Sequence, residues 1–139
     1  MRVAWLKDLR MADLERVGGK NASLGEMMHA LAATGIRVPG GFATTAQAFR
    51  EFLSANGLDE RIEQRLRSLE PKDLTALAAV GAEIRAWILK APFPADFERE
   101  IKSYYQELED KTSGAISFAV RSSATAEDLP EASFAGQQE

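Results

Sequence analysis

The sequence predicts an α+β fold that is rich in helices and contains an incomplete sheet of a few short strands. Over most of the chain, apolar residues recur three and four positions apart, which is the spacing of one face of a helix. Runs that favour strands occur at only three places, residues 3–6, 42–44 and 116–120, and a loop follows the last of them. Three short strands without a return strand do not complete a sheet. The sequence therefore indicates a fragment of a larger domain.

The composition excludes several classes of protein. The 139 residues include 17 Lys and Arg, 21 Asp and Glu, one His and no Cys, and their formal net charge is -4. This acidic balance, without a block of Lys and Arg, argues against nucleic acid as a partner. The lack of cysteine excludes disulfides and thiolate zinc sites, and the cytoplasm is the simplest location. No segment has the apolar core of a signal peptide or the roughly 18 apolar residues of a membrane span, so no membrane partner is expected.

The first strand and the first helix lie in the N-terminal third of the chain. The short apolar run at residues 3–6 is bounded by charge and predicts a buried strand. After the glycine pair at residues 18–19 in the sequence, apolar residues at helical spacing predict a helix that ends at Gly35. Either Asn21 or Ser23 could cap this helix, and the sequence does not choose between them. The predicted buried face consists of Leu24, Met27, Met28 and Leu31.

Four more helices follow a second short strand, Phe42–Thr44. Thr44 and Gln47 have the spacing of a capping box, which predicts a helix that ends at Asn56 and Gly57. Asp73 is expected to cap a longer helix that Pro92 terminates, and Pro94 suits the first turn of the next helix. The apolar residues that define these four helices are Ala46, Phe49, Phe52 and Leu53; Leu58, Ile62, Leu66 and Leu69; Leu74, Leu77, Ile84 and Ile88; and Phe97, Ile101, Tyr104 and Leu108.

Near residue 115 the spacing of apolar residues changes from that of a helix to every second residue. Ile116, Phe118 and Val120 alternate with small or polar residues, which predicts a half-buried strand and places Arg121 at its end. The small, polar and acidic residues of segment 122–132 predict a loop.

Two segments concentrate groups that bind anions. Lys20 follows Gly18 and Gly19 just before a helix, where free backbone N–H groups and the positive end of the helix dipole favour phosphate. A glycine pair before a helix is more often simple turn geometry. Arg121 can present a guanidinium fork to phosphate oxygens, and the small residues beside it let the backbone approach a ligand. A surface arginine beside a loop is the alternative.

Two other groups of residues do not predict a site. His29 is the only histidine, but no second ligand or carboxylate lies at a useful spacing, so it is interpreted as structural. Glu127, Asp128 and Glu131 form no recognisable oxygen cage, and we interpret them as solvated loop carboxylates. No metal site is predicted in this chain.

Three separated segments together carry a pattern that is much more specific. They are RVGGKNASLGEM at residues 16–27, VPGGFATT at residues 38–45, and VRSSATAEDLP at residues 120–130, continuing to Gln138 and Glu139. In this order they closely resemble the phosphoenolpyruvate synthases, or pyruvate, water dikinases. The resemblance extends from the first strand to the last residue.

The resemblance implies a fold and a set of site residues. Members of this family are multidomain enzymes with an N-terminal ATP-grasp nucleotide domain, a swivelling domain with a phosphorylated histidine, and a barrel that binds pyruvate. Residues 1–139 would then be the first, helix-rich part of the ATP-grasp domain. Lys20 and Arg121 would contact the ATP phosphates, and Arg121 would also stabilise charge in the transition state. Gly136 and Gln137 would belong to the loop, residues 135–138, that closes over the phosphates.

The resemblance also implies a reaction. With ATP, water and Mg²⁺ the family phosphorylates its histidine and releases AMP and phosphate, and pyruvate then becomes phosphoenolpyruvate. His29 does not match that histidine. The Mg²⁺ ligands and the pyruvate site are expected outside these residues, so the fragment alone is expected to be inactive, while the parent enzyme could be a homodimer.

Two alternative functions stay open. One is an ATP-grasp segment like that of the rifampin phosphotransferases, which share the Arg-Ser-Ser-Ala-Thr loop, although residues 20–27 favour the synthases. The other is a non-catalytic helical module that binds a nucleotide or a protein partner.

Overall fold

A computed structural model describes residues 1–70, 72–112 and 117–126, and these residues form an α+β fold. Three short 3₁₀ turns, Leu6–Asp8, Met11–Asp13 and Ala32–Thr34, accompany the regular elements. None of the helices in these ranges is long and apolar enough to cross a membrane. In chain order the strands and α-helices are β1 (Val3–Trp5), α1 (Leu14–Val17), α2 (Gly19–Leu31), β2 (Phe42–Thr44), α3 (Ala46–Ala55), α4 (Leu58–Arg67), α5 (Leu74–Lys90) and α6 (Ala95–Asp110).

The two strands form a small antiparallel sheet at the centre of the described residues. Ala4 pairs with Ala43, and the flanking pairs are Val3 with Thr44 and Trp5 with Phe42. Leu6 was expected to continue β1 but instead begins a 3₁₀ turn, although its N–H still donates to Gly41 O at 3.0 Å. The predicted strands at residues 3–6 and 42–44 are therefore confirmed, with β1 one residue shorter.

Apolar side chains cover both faces of this sheet. Successive residues of a strand point to opposite faces, and Val3 and Ala4 accordingly belong to two different clusters. Val3 packs with Ala48 of α3 and Phe97 of α6. The cluster on the other face comprises Ala4, Leu6, Leu9, Val17, Ala22 and Ala43. Helix α2 thus packs on one side of the sheet, and α3 and α6 pack on the other.

Helix α2 begins earlier than either predicted cap allows, and its buried face differs from the prediction. The helix starts at Gly19, so Gly18 is the N-cap residue, and the Asn21 side chain donates to Val17 O at 2.8 Å. The fully buried residues of α2 are Gly19, Ala22 and Gly25. Of the predicted face, Leu24 and Met28 are partly buried and pack against the same cluster, whereas Met27 is 47% exposed. Small residues are buried because the backbone of α2 lies directly against the turn that follows β1. A Cβ on Gly25 would lie 2.5 Å from Leu9 O and 2.7 Å from Leu6 O.

The cap of α3 is shifted by one residue from its predicted position. Thr45, and not Thr44, accepts from Ala48 N at 3.2 Å. Thr44 is unsuited to this role because it is still paired with Val3 in the sheet. The prediction for the next long helix is confirmed, since the Asp73 side chain accepts from Ala76 N at 2.9 Å.

The predicted helix ends are mostly confirmed. Gly35 and Gly57 both have left-handed backbone angles, with φ of 75° and 62°, as expected for residues that stop a helix. Pro94 lies at the N-cap of α6 and therefore just before the first turn rather than within it. Helices α4 and α5 pack as an outer pair, linked by an ion pair of 2.8 Å between Arg65 and Glu83.

The third predicted strand is wrong for the residues that the structure describes. Ile116 lies outside the described ranges, and residues 117–124 have no regular secondary structure. Val120 is 96% exposed. Alternating residues become a strand only when a neighbouring strand supplies hydrogen bonds, and the described sheet contains β1 and β2 alone. Arg121 is thus on an extended segment and not at the end of a paired strand.

Candidate functional site

The candidate site lies at the corner where α1 ends and α2 begins. Gly18 forms this corner with φ of 83° and ψ of 161°, a conformation that residues with a side chain rarely adopt. Its N–H donates to Leu14 O at 2.8 Å and its C=O accepts from Ala22 N at 3.1 Å. Gly18 therefore joins the last turn of α1 directly to the first turn of α2.

The segment that carries Arg121 packs onto this corner. The N–H of Gly19 donates a hydrogen bond of 3.2 Å to Ala124 O. A Cβ on Gly18 would overlap the hydroxyl of Ser123 and would lie 2.9 Å from Ala124 O. Two features therefore require glycine at position 18: its positive φ and the close approach of residues 123–124.

This contact brings the two predicted phosphate-binding segments together. Lys20 is the second residue of α2 and directly follows Gly19, whose N–H holds Ala124. Arg121 precedes Ala124 by three residues, a span of at most about 11 Å. Both side chains are exposed. The backbone of Arg121 therefore lies within about 11 Å of Ala124, whose C=O is bonded at the first turn of α2, the helix that carries Lys20.

The backbone donors at this corner differ from the sequence-based expectation. Free N–H groups were expected at Gly18 and Gly19, but the N–H of each glycine has an internal acceptor, Leu14 O and Ala124 O respectively. That part of the prediction is wrong. The glycine pair contributes by holding residues 123–124 and not by offering its own N–H groups.

A buried hydroxyl lies at the same corner. The Oγ atom of Ser123 is buried and has no hydrogen-bond partner among the described residues. It occupies the space that a side chain on Gly18 would need. Sequence analysis gave Ser123 no role, because nothing in the local pattern shows that it meets a residue so far away in the chain.

Helix α6 provides a second attachment for the Arg121 segment. The ring of Phe118 packs on the ring of Tyr105, with 4.9 Å between centroids and 41° between planes. Tyr105 falls within the helix predicted after Pro94, and Phe118 falls within a predicted strand. Neither pattern indicates that the two residues meet.

The other residues considered in the sequence lie elsewhere. His29 is exposed and its Nδ1 is 2.9 Å from Arg10 Nη2. Ten residues separate it from Gly19, so it lies about 15 Å along α2 from the corner. In residues 1–70, 72–112 and 117–126, no group of three or more His, Asp or Glu residues could hold a metal ion. Gly136, Gln137, Glu127, Asp128 and Glu131 lie outside the described residues.

Comparison with known proteins identifies the relatives of this chain. Residues 14–139 match the family model of the pyruvate phosphate dikinase AMP/ATP-binding domain. The chain is 60% identical over 138 residues to phosphoenolpyruvate synthase of Neisseria meningitidis serogroup B. It is also 53% identical over 137 residues to the Escherichia coli protein of the same name. Both matches cover 99% of this chain and 17% of the relative, so the chain spans about a sixth of the length of these proteins.

Proposed function

Because the chain belongs to the family of pyruvate phosphate dikinase AMP/ATP-binding domains, we propose that it is part of the ATP-binding domain of a phosphoenolpyruvate synthase. The synthases of Neisseria meningitidis and Escherichia coli, similar along almost the whole chain, support this assignment. Residues 1–139 would form the helix-rich first part of an ATP-grasp domain. The cytoplasmic location is proposed from the absence of cysteine.

The observation that carries the proposal is the hydrogen bond from Gly19 N to Ala124 O. It joins the segment that bears Lys20 to the segment that bears Arg121. A triphosphate needs several positive groups, because its negative charges repel one another and increase locally as a phosphoryl group is transferred. Lysine supplies a mobile point charge, whereas arginine supplies a planar fork that can bind two oxygens at once.

The proposed roles of the two cations are unequal. Lys20, next to the first turn of α2, would bind ATP phosphates mainly through its charge. Arg121 would orient a phosphate through two N–H groups and stabilise the charge of the transition state. Gly136 and Gln137 are proposed to belong to a loop that covers the same phosphates.

The whole reaction is proposed for the parent enzyme and not for this segment. There, pyruvate, ATP and water would give phosphoenolpyruvate, AMP and phosphate through a phosphohistidine. Mg²⁺ would neutralise phosphate charge when bound, and its ligands are proposed to lie in other parts of the parent, as are the histidine and the pyruvate site. In that reaction, the proposed role of this chain is to hold and orient the ATP phosphates.

Matched substitutions at the two cations test this proposal. In the full-length protein, Arg121→Lys keeps the charge but loses the fork, so kcat should fall by something on the order of 10² with little change in the KM for ATP. Lys20→Arg should be less damaging, because that position needs mainly a positive charge. AMP formation from pyruvate and ATP measures both effects.

The control for these variants is Arg67→Lys, a change in an exposed side chain of α4 that pairs with Glu63 along its own helix. It should leave kcat unchanged. Circular dichroism should show the same helix content in all three variants. Wild-type turnover in Arg121→Lys would remove Arg121 from the proposed role.

A further inference from the structure

We infer that Tyr105 is a positioning residue for Arg121 and acts through Phe118. The inference rests on the proposed phosphate-binding role of Arg121 and extends it to a helix, α6, that otherwise supports the sheet. The ring of Tyr105 contacts Phe118, in the segment that brings Arg121 to the corner of α1 and α2.

The contact between Tyr105 and Phe118 depends on the rings alone. The centroids are 4.9 Å apart, a normal separation for a favourable aromatic pair. The Tyr105 hydroxyl points to Glu109 of its own helix, with 3.5 Å between oxygens, in an exposed position. Tyr105 is 42% exposed and Phe118 is 39% exposed. The pair is therefore a surface contact whose loss should leave the core of the protein intact.

Arg121 lies midway between two attachments. Phe118 precedes it by three residues and packs on α6, while Ala124 follows it by three residues and bonds to Gly19 N. Each three-residue arm spans at most about 11 Å. Among the described residues, Val120, the neighbour of Arg121, is almost fully exposed and adds no packing of its own. Fixing both ends of residues 118–124 therefore restricts where the guanidinium can lie.

Loss of the Tyr105 ring should release residues 118–120, the part of the segment that precedes Arg121. The segment before Arg121 would then gain conformations, and Arg121 would spend less time in the productive position. An aromatic pair of this kind changes an equilibrium by roughly two- to tenfold. Because Arg121 is proposed to act mainly in the transition state, the loss should appear in kcat rather than in the KM for ATP.

The first part of the test uses two substitutions at Tyr105 in the full-length protein. Tyr105→Ala should lower kcat roughly two- to tenfold without changing the thermal unfolding temperature appreciably. Tyr105→Phe keeps the ring and removes only the hydroxyl, so it should restore wild-type kcat. An equal loss of kcat in both variants would overturn the inference, because it would assign the effect to the hydroxyl.

The second part combines Tyr105→Ala with Arg121→Ala. If Tyr105 acts through Arg121, its substitution should cause no further loss of kcat once Arg121 is absent. The same two- to tenfold loss in both backgrounds would overturn the inference. A wild-type rate in Tyr105→Ala, with a large loss in Arg121→Ala, would overturn this inference alone. A wild-type rate in Arg121→Ala would overturn the proposed function, and this inference with it.

Discussion

Two segments that were both predicted to form strands differ in how the protein holds them. Residues 3–6 and residues 116–120 both predicted short strands, and each contains one valine that should be buried. In β1, Val3 is 0% exposed, whereas Val120 is 96% exposed. The first segment has a strand partner and helices on both faces, and the second is attached through Phe118 and Ala124. An apolar or alternating pattern therefore shows that a segment is able to form a strand, while the partner decides whether it does.

The difference has a consequence for the two proposed phosphate-binding residues. Lys20 belongs to the close-packed helix α2, which lies against the turn after β1 with almost no space between the two backbones. Arg121 belongs to a loosely attached segment, residues 118–124, whose described contacts are those of Phe118 with Tyr105 and of Ala124 with Gly19. Lys20 is thus placed by the core of the fold, and Arg121 is placed by contacts that could change without unfolding the protein.

The largest expected effect tests the close packing of α2. In Gly25→Ala the new Cβ would lie 2.5 Å from Leu9 O and 2.7 Å from Leu6 O, both of them backbone atoms that cannot move alone. The free energy of unfolding should fall by about 3 kcal/mol, as in severe overpacking of a core. Urea denaturation of the chain measures it.

Gly81→Ala in α5 is the matched control for Gly25→Ala. The atom closest to a Cβ at Gly81 is Arg85 Nη1 at 3.4 Å, the end of a flexible side chain. Here alanine should stabilise the chain by roughly 0.5–1 kcal/mol through its higher helix propensity. If Gly25→Ala were also stabilising, α2 would not be packed as closely against the turn as described.

The next effect compares the two valines directly. Val3→Ala removes two buried methyl groups from the cluster with Ala48 and Phe97. It should lower the free energy of unfolding by about 2 kcal/mol, through lost burial and the cavity left behind. Val120→Ala should change it by less than about 0.5 kcal/mol. Similar losses in both variants would show that residues 117–120 are packed as tightly as β1, and would break the comparison.

Much of the fold could be predicted from the sequence, and the failures share one cause. Asp73 as a cap and Gly57 as a stop were correct because each signal is local to its own helix. On α2, the predicted Leu24 and Met28 do pack on the core, but the most deeply buried residues, Ala22 and Gly25, were missed because they are small and periodicity counts only large apolar residues. Their burial reflects a close approach of two backbone segments, which no local pattern records.

The same limit applies to the site. The chemistry of Lys20 and Arg121 suggested an anion site at each, because the residue types alone carry that information. The bond between Gly19 and Ala124 joins parts of the chain that are far apart in sequence, so it could not be predicted from either segment. The Tyr105 contact was missed for the same reason. Roles of single residues could therefore be inferred, while their arrangement required the structure.

The smallest expected effect concerns an ion pair that ties the start of β1 to α3. Arg2 Nε donates to Glu51 Oε2 at 2.6 Å, and this hydrogen bond, helped by one from Gln47, lowers the pKa of Glu51 below its ordinary value. A carboxyl group with a lowered pKa in the folded state adds stability at pH values above its ordinary pKa of 4.5. That contribution disappears as the pH falls below 4.5 and through the folded pKa. Glu51→Gln should therefore make the urea midpoint depend less steeply on pH in this acidic range.

The effect of Glu51→Gln should be small, because both side chains of the pair are more than a third exposed and solvent screens them. Glu63→Gln is the control, since Glu63 pairs with Arg67 on a more exposed face of α4 and does not connect separate elements. Urea midpoints of the wild type and both variants, measured at several pH values from about 5 to 3, test the prediction. Glu51→Gln should depart from the wild-type slope. An unchanged slope in Glu51→Gln would mean that the packing of Val3, Ala48 and Phe97, and not this ion pair, holds the start of β1 against α3 and α6.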